Sequence, residues 1–361
     1  MKALIKPNEY FQKSTYEEEK SKLFSQIWNF VGFISDFNQV NDFVVSNVSG
    51  TPVVVQNLKG TIRAFKNVCS HRHSIIQTTQ KGNRPLMCPY HGWAYNEKGI
   101  PFGIPKKPLF SFTNEELECL KLEEYEIEVC GSLVFVRTTK NKISLKDFLG
   151  NFYPEIEKMS TNFGKLIDVN EIEIKANWKI IVENTLESYH VALIHSETFQ
   201  KLGAQGLDFV FDKNNSLWDA PVLVKENEGK QAKIYKPYQK RDYKIDGYKH
   251  LIVFPNILIS STYGISFNLS HIIPVSEGIS LFKSYVFVTK KDDEDKNEII
   301  EKMFEDSLIH FNRKVFDEDK VICQEVQKGV QYSNYDGQLS DEERRVGYFQ
   351  EKYKQYIPEV L

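Results

Sequence analysis

The stretch from Cys69 to His91, CSHRHSIIQTTQKGNRPLMCPYH, holds two short Cys/His pairs, Cys69-x-His71 and Cys88-x-x-His91, with sixteen residues between them. Four donors in two tight clusters suit a tetrahedral metal site or a two-iron cluster. A zinc finger of the Cys2His2 type keeps both cysteines in its first pair and both histidines in its second. Here each pair is mixed. That pattern suits a [2Fe–2S] centre in which two thiolates hold one iron and two imidazoles hold the other. Neutral imidazole in place of thiolate removes negative charge and raises the reduction potential. Gly82, Pro89 and Gly92 allow the turns that bring backbone amides towards the sulfurs. His73 competes with His71 for the same role, and the Cys-x-His spacing favours His71. Trp93, beside the second pair, reads equally as a shield for the cluster and as a core residue.

A second group of donors lies in LESYHVALIH, where Glu187, His190 and His195 fall within nine residues. Glu187 and His190 are three apart and share a helix face. His190 and His195 are five apart, so on a straight helix they point about 140° away from each other. Their convergence on one ion requires the helix to unwind between them. A carboxylate partner comes from a long C-terminal helix whose apolar stripe runs through Phe304, Leu308, Phe311, Val315, Ile322 and Val326. Asp319 fills the gap in that stripe, where an ionised carboxylate is costly unless paired or bound to metal. Asp317 and Glu318 fall off the stripe and read as solvated charges. One Asp with two histidines makes the 2-His-1-carboxylate set of non-haem iron sites; the competing reading is a buried Asp that caps or salt-bridges another element.

The elements around these donors suggest an α+β chain in several parts. With 361 residues, 25 Phe and 18 Tyr, it can bury two cores. The net charge of −3, with both signs well mixed, points to neither a polyanion nor a membrane surface as partner. No apolar run approaches a signal peptide or a membrane span. Cys119, Cys130 and Cys323 are odd in number and far apart, which argues against a disulfide framework and for a reducing cytosol. An opening helix over YEEEKSKLFSQIW runs into a strand NFVGF. Residues 35–145 are strand-rich and carry the Cys/His loops on a small antiparallel framework. From 146 to 361, strands at EIEIKANW, HLIVFPNILISS, ISFNLSHIIPV and SLFKSYVFVT alternate with a helix starting at Trp178, a long one from about Asn297 to Lys328 and a shorter one from Asp341 to Tyr356. Residues 201–249 are polar and read as an irregular lid or substrate loop. No dinucleotide-binding glycine fingerprint occurs.

Taken together, CSHRH…CPYHGW, NWKIIVENTLESYHVALIH and VFDEDKVICQEVQKGV resemble the catalytic α-subunit of Rieske-type non-haem iron oxygenases across nearly the whole chain. The resemblance implies an N-terminal Rieske antiparallel β domain at 35–145 and a helix-grip-like catalytic domain at 146–361, with 1–34 packing on the latter. It implies a Rieske [2Fe–2S] cluster on Cys69, His71, Cys88 and His91, and a mononuclear Fe(II) on His190, His195 and Asp319. Glu187 would be the acidic bridge between the two centres. The implied partners are a small-molecule substrate, dioxygen and a separate NAD(P)H-dependent reductase, directly or through a ferredoxin, in a cytoplasmic homotrimer. Many members carry Asp at the bridge. The Glu at 187 is similar to relatives that oxidise carnitine or glycine betaine, whose cation would need an aromatic cage, with Trp218, Tyr263 and Phe267 as candidates. Hydroxylation or demethylation of another small molecule stands beside that reading. The alternatives are a Rieske electron carrier and an inactive homologue without the mononuclear iron.

Overall fold

The computed structural model describes residues 1–48, 50–202, 207–221, 243, 245, 247–290 and 298–358. The chain divides into two compact units, Glu19–Phe148, and Met1–Glu18 together with Leu149–Leu361.

The smaller unit is built on a seven-stranded antiparallel sheet. Its strands are Asn29–Phe33 (β1), Asp42–Val48 (β2), Thr51–Leu58 (β3), Thr61–Lys66 (β4), Lys81–Asn83 (β5), Glu124–Cys130 and Leu133–Arg137. The order across the sheet is β1, Leu133–Arg137, Glu124–Cys130, β4, β3, β2, β5. Alternation along the strands divides the apolar residues between two cores. Phe43, Val54 and Phe65 join Cys69, Cys88, Trp93 and Tyr95 on one face. Val44, Val53, Val55 and Ala64 pack with Val134 and Val136 on the other. The unbroken apolar run at 53–55 therefore reflects a strand covered on both sides. A further hairpin, Ala94–Tyr95 (β6) with Pro101–Gly103 (β7), extends from the second Cys/His loop.

One expectation requires correction. Residues 1–34 do not form a single segment belonging with the catalytic part, because β1 is an edge strand of the smaller unit, pairing antiparallel with Leu133–Arg137. Backbone hydrogen bonds assign Asn29–Phe33 to that sheet, and only Met1–Glu18 belongs with the larger unit.

The larger unit carries a second seven-stranded antiparallel sheet. Continuing the count past the two C-terminal strands of the first sheet (β8 and β9), it comprises Phe163–Ile174 (β10), Phe209–Asp212 (β11), Asn215–Pro221 (β12), Gly247–Val253 (β13), Ile257–Thr262 (β14), Ser266–Ser276 (β15) and Ile279–Thr289 (β16). Strands β11 to β16 follow in sequence as a meander, and β10 closes the order beside β16. Part of the stretch expected to be an irregular lid is thus regular strand, at β11 and β12. Residues 247–249 begin β13, and 203–206, 222–242, 244 and 246 lie outside the described residues. Three helices matter for the site: Trp178–Thr185 (α1), Glu298–Val330 (α2) and Arg344–Tyr356 (α3). Asn177 caps α1, its side chain accepting from Lys179 N at 2.9 Å. Trp178 packs edge-on to Phe349 of α3, with ring centres 5.9 Å apart.

The expected stripe on α2 holds through Phe304, buried against Ile265 and Val288, but not to its end. Beyond Asp319 the buried face runs through Cys323 and Gln327, while Val326 is exposed. Two successive steps of four residues rotate the face past the line that Ile322 and Val326 would continue.

Candidate metal centres

The two Cys/His pairs sit on loops of the same design. Cys69 N donates to Ser74 O and Cys88 N to Trp93 O, both at 2.8 Å. His73 N and Gly92 N each donate back to their cysteine's carbonyl at 3.0 Å. A single antiparallel bridge closes each neck, Val68 with Ile75 and Met87 with Ala94. Both loops turn through the left-handed region four residues after the cysteine, at His73 (φ 61°) and Gly92 (φ 72°). The difference is one residue: the histidine follows its cysteine by two in the first loop and by three in the second.

The loops present Cys69 and Cys88, both buried, with the His71 and His91 rings 4.7 Å apart. Trp93 lies flat on His71 at 4.7 Å, so it both fills the core and covers that imidazole. Tyr95 Oη donates to Cys69 Sγ at 3.0 Å while accepting from Ser70 N at 3.0 Å. His73 is exposed, whereas His71 is half-buried with its ring against His91 and Trp93, the arrangement a donor of the first loop needs. His71 Nδ1 is buried and has no hydrogen-bond partner among the described residues. A buried imidazole nitrogen left open beside two thiols fits a metal ligand. The donors meet the requirements of a [2Fe–2S] cluster held by two thiolates and two imidazoles.

The second group gathers His190, His195 and Asp319, whose ligating atoms all lie within 4.8 Å of one another. The helical break that allows this is not where the sequence suggested. Helix α1 ends at Thr185, ahead of the histidines, and a single turn, Val191–Ile194, separates them. His195 then leaves that turn at φ −109°, ψ 31°. Its Nε2 is 2.9 Å from Asp319 Oδ1, and His190 Nε2 is 3.6 Å from the same oxygen. Asn184 Nδ2 donates to that oxygen at 2.7 Å.

Each imidazole is held from behind by a carboxylate. Glu187 Oε1 meets His190 Nδ1, and Glu187 Oε2 accepts from His190 N at 3.2 Å. Glu318 Oε2 lies 2.7 Å from His195 Nδ1 and accepts from Thr198 Oγ1 at 2.7 Å. The solvated reading of Glu318 is therefore corrected. Position 318 is 100° round the helix from Asp319, and His195 lies over the stripe's edge, where its two nitrogens reach both residues. The pattern of apolar residues had no means of revealing this, because it locates Asp319 but not what lies above it. Asp317 is exposed, as expected.

Burial works against a charged His190, but Asp319 and Glu187 outweigh it and lift its pKa to about 9. Burial likewise raises Asp319, and the two histidines with Asn184 bring it below the usual carboxylate range. Three carboxylates around two imidazoles make a buried site that calls for a cation. The donor set, two nitrogens and a carboxylate oxygen with second-layer carboxylates, fits Fe(II).

These donors line a cavity of about 730 Å³ between α2 and the inner face of the sheet. Its helix side is apolar, with Phe304, Leu308, Phe311 and Val315. Its sheet side carries a row of facing residues on neighbouring strands, Trp218, His250, Ser260 and Asn268. Of the three candidate cage aromatics, Trp218 and Phe267 line this cavity, and Tyr263 is not among its lining residues. Trp218 packs with Tyr248, Phe267 stacks among Phe163 and Tyr243, and Tyr263 packs with Ile265, Val288 and Phe304.

Residues 165–359 match the family of the ring hydroxylating alpha subunit (catalytic domain), and residues 27–121 match the Rieske [2Fe-2S] domain. This chain belongs to the ring-hydroxylating α-subunit family. Its two domains imply a Rieske cluster and a mononuclear iron, and the family's members are oxidoreductases that use dioxygen on small substrates. The α-subunit is 28% identical over 297 residues to the 2-aminobenzenesulfonate 2,3-dioxygenase subunit alpha of Alcaligenes sp, covering 79% of this chain and 74% of that one. It is 25% identical over 369 residues to the carnitine monooxygenase oxygenase subunit of Acinetobacter baumannii, covering 96% and 93%. In fold it is similar to a quaternary ammonium Rieske monooxygenase in complex with L-carnitine, with a TM-score of 0.79 at 20% identity over 97% of this chain and 94% of that one. Among the described residues no helix is long and apolar enough to cross a membrane.

Proposed function

We propose that this α-subunit hydroxylates or oxidatively demethylates a small organic substrate, with Fe(II) held by His190, His195 and Asp319 and the Rieske cluster held by Cys69, His71, Cys88 and His91. The observation that carries this reading is the arrangement of the two imidazoles: both turn Nε2 towards Asp319 while a carboxylate holds each Nδ1. Bound at the open side of this triad, iron would activate dioxygen with electrons delivered by a reductase.

The chain's own residues prepare that chemistry in three ways. Glu187 and Glu318 fix the ring orientation and tautomer of the two histidines, so that both Nε2 lone pairs face the same point. Asn184 orients Asp319. The apolar side of the cavity excludes water from the space in front of the triad. Glu187 is also assigned as the bridging carboxylate between the two centres. The homotrimer belongs to this reading: the structure of a related quaternary ammonium monooxygenase is described as revealing inter-subunit electron transfer. So does a cytoplasmic setting, in keeping with the odd number and wide spacing of Cys119, Cys130 and Cys323 in the sequence.

The test is iron and sulfide analysis with the EPR spectrum of reduced protein. About three irons per chain are expected, two with sulfide and a Rieske signal. Asp319→Ala should remove only the third iron and abolish turnover. A variant that keeps all its iron would overturn the assignment, and a wild-type chain with only the cluster's iron would favour the electron carrier or the inactive homologue.

A further inference from the structure

Behind the sheet side of the cavity lies a buried cation that no carboxylate among the described residues pairs. Arg345, on the first turn of α3, is 1% exposed. Its Nε donates to Ser216 Oγ at 3.0 Å, its Nη2 to Ser216 O at 3.2 Å, and its Nη1 lies 3.0 Å from His250 Nδ1. All three partners are neutral acceptors. Among the described residues no carboxylate lies within ion-pair distance, and burial lowers the guanidinium to about 9. An unpaired buried charge is costly, and evolved interiors normally supply its counter-ion.

His250 relays that charge into the cavity. A guanidinium has only donors, so Nδ1 must accept, and the proton of the neutral ring sits on Nε2. Burial and the adjacent Arg345 both keep the ring neutral, well below the ordinary histidine range. The ring is 8% exposed and lines the cavity in register with Trp218 and Ser260. Its Nε2–H has no partner among the described residues, and the ring is not closed off from the cavity space. The sheet side of the cavity thus presents a fixed donor backed by a buried positive charge.

We propose that His250 is a specificity-determining residue that reads an acidic group, a carboxylate or sulfonate, on the substrate, with Arg345 behind it fixing its tautomer and supplying the charge. The acid accepts from His250 Nε2–H and provides the missing counter-charge. A quaternary ammonium group beside His250 would face the guanidinium's positive charge instead. Any such group must lie elsewhere in the cavity. This inference rests on the reading of the cavity as the substrate site.

The experiment is calorimetric titration of the full chain, loaded with cluster and iron, under anaerobic and unreduced conditions. Benzoate, benzenesulfonate, benzamide and benzyltrimethylammonium serve as matched ligands. Both acids should bind at least about tenfold more tightly than benzamide, the advantage of a charge-assisted hydrogen bond over a neutral one. His250→Phe should bring benzoate to the level of benzamide while leaving benzamide unchanged. His250→Gln, which can accept from Arg345 and donate to the ligand, should restore most of the preference. Equal binding of benzoate and benzamide, tighter binding of the cation, a preference that survives His250→Phe, or no binding of either acid at millimolar concentration would each overturn the proposal. Iron analysis of the same samples separates the two claims. Acid binding with the third iron absent would sink the iron assignment alone; a full iron complement without acid preference would sink this one alone.

Discussion

At the Cys/His loops the donors are aimed by backbone, whereas at the His190/His195/Asp319 triad they are aimed by other side chains. Each loop closes on itself through two main-chain hydrogen bonds and a one-pair bridge, so the position of a thiol follows from the path of six residues. The triad draws its members from a broken segment after α1 and from the middle of α2, more than a hundred residues apart, and depends on Glu187, Glu318 and Asn184 to orient them. A site aimed by backbone tolerates side-chain change around it and keeps its geometry over a range of pH. A site aimed by carboxylates is exposed to both.

Loss of a supporting carboxylate tests this contrast most severely. Glu318→Ala should weaken the third iron's binding about ten- to a hundredfold while the cluster's spectrum stays intact. Metal titration of the iron-stripped variant measures this, and an unchanged affinity would mean that His195 is aimed by its backbone after all.

The same dependence on carboxylates extends behind α1. Glu183 is buried, and desolvation pushes its pKa up to about 7, against hydrogen bonds from Gln350 and Tyr10 and the charge of Lys179, with Glu343 adding to the rise. The folded pKa is therefore above the unfolded one. Glu183's contribution is complete below the ordinary carboxylate range, near pH 4.5, and is lost as pH rises through 7. Glu183→Gln should remove this loss, gaining on the wild type by up to about 3 kcal/mol between pH 5 and pH 8. Parallel melting curves at several pH values check it, and a gap independent of pH would show that Glu183 stays ionised in the fold.

Smaller effects belong to the loops. Tyr95→Phe removes the hydrogen bond to Cys69 Sγ, which favours the more negative, reduced cluster. At about 1 kcal/mol per bond, the potential should fall by roughly 40 mV in a redox titration. A rise would mean that Tyr95 acts on the cluster in some other way. Least of all, His73→Gly should be neutral to stabilising by no more than about 1 kcal/mol, because it relieves a left-handed residue where the second loop already has Gly92. A thermal melt of the cluster-loaded protein that moved clearly downward would break the likeness of the two loops.

How legible each region was follows from the same contrast. Cys69, His71, Cys88 and His91 were readable because their geometry is local: spacing within a loop is geometry there. Asp319 was readable because a carboxylate interrupting an apolar stripe is an anomaly on any helix. Glu318 was not, since its role depends on where His195 lies above the stripe, and neither was the end of α1 at Thr185. The strands at β11 and β12 were missed because neither FVFD nor NSLWDAP shows the apolar alternation that marks a half-buried strand.

By itself, the sequence determined the donor chemistry, the two-part organisation and the antiparallel character of the first sheet, all of which depend on short-range patterns of residue type. Tertiary structure alone decided that β1 joins the first sheet, that Glu318 stands behind His195, and that Arg345 reaches His250 with no carboxylate among the described residues to pair it. Each of these depends on which distant surfaces meet. A one-dimensional period records which face of an element is buried, but not what it is buried against.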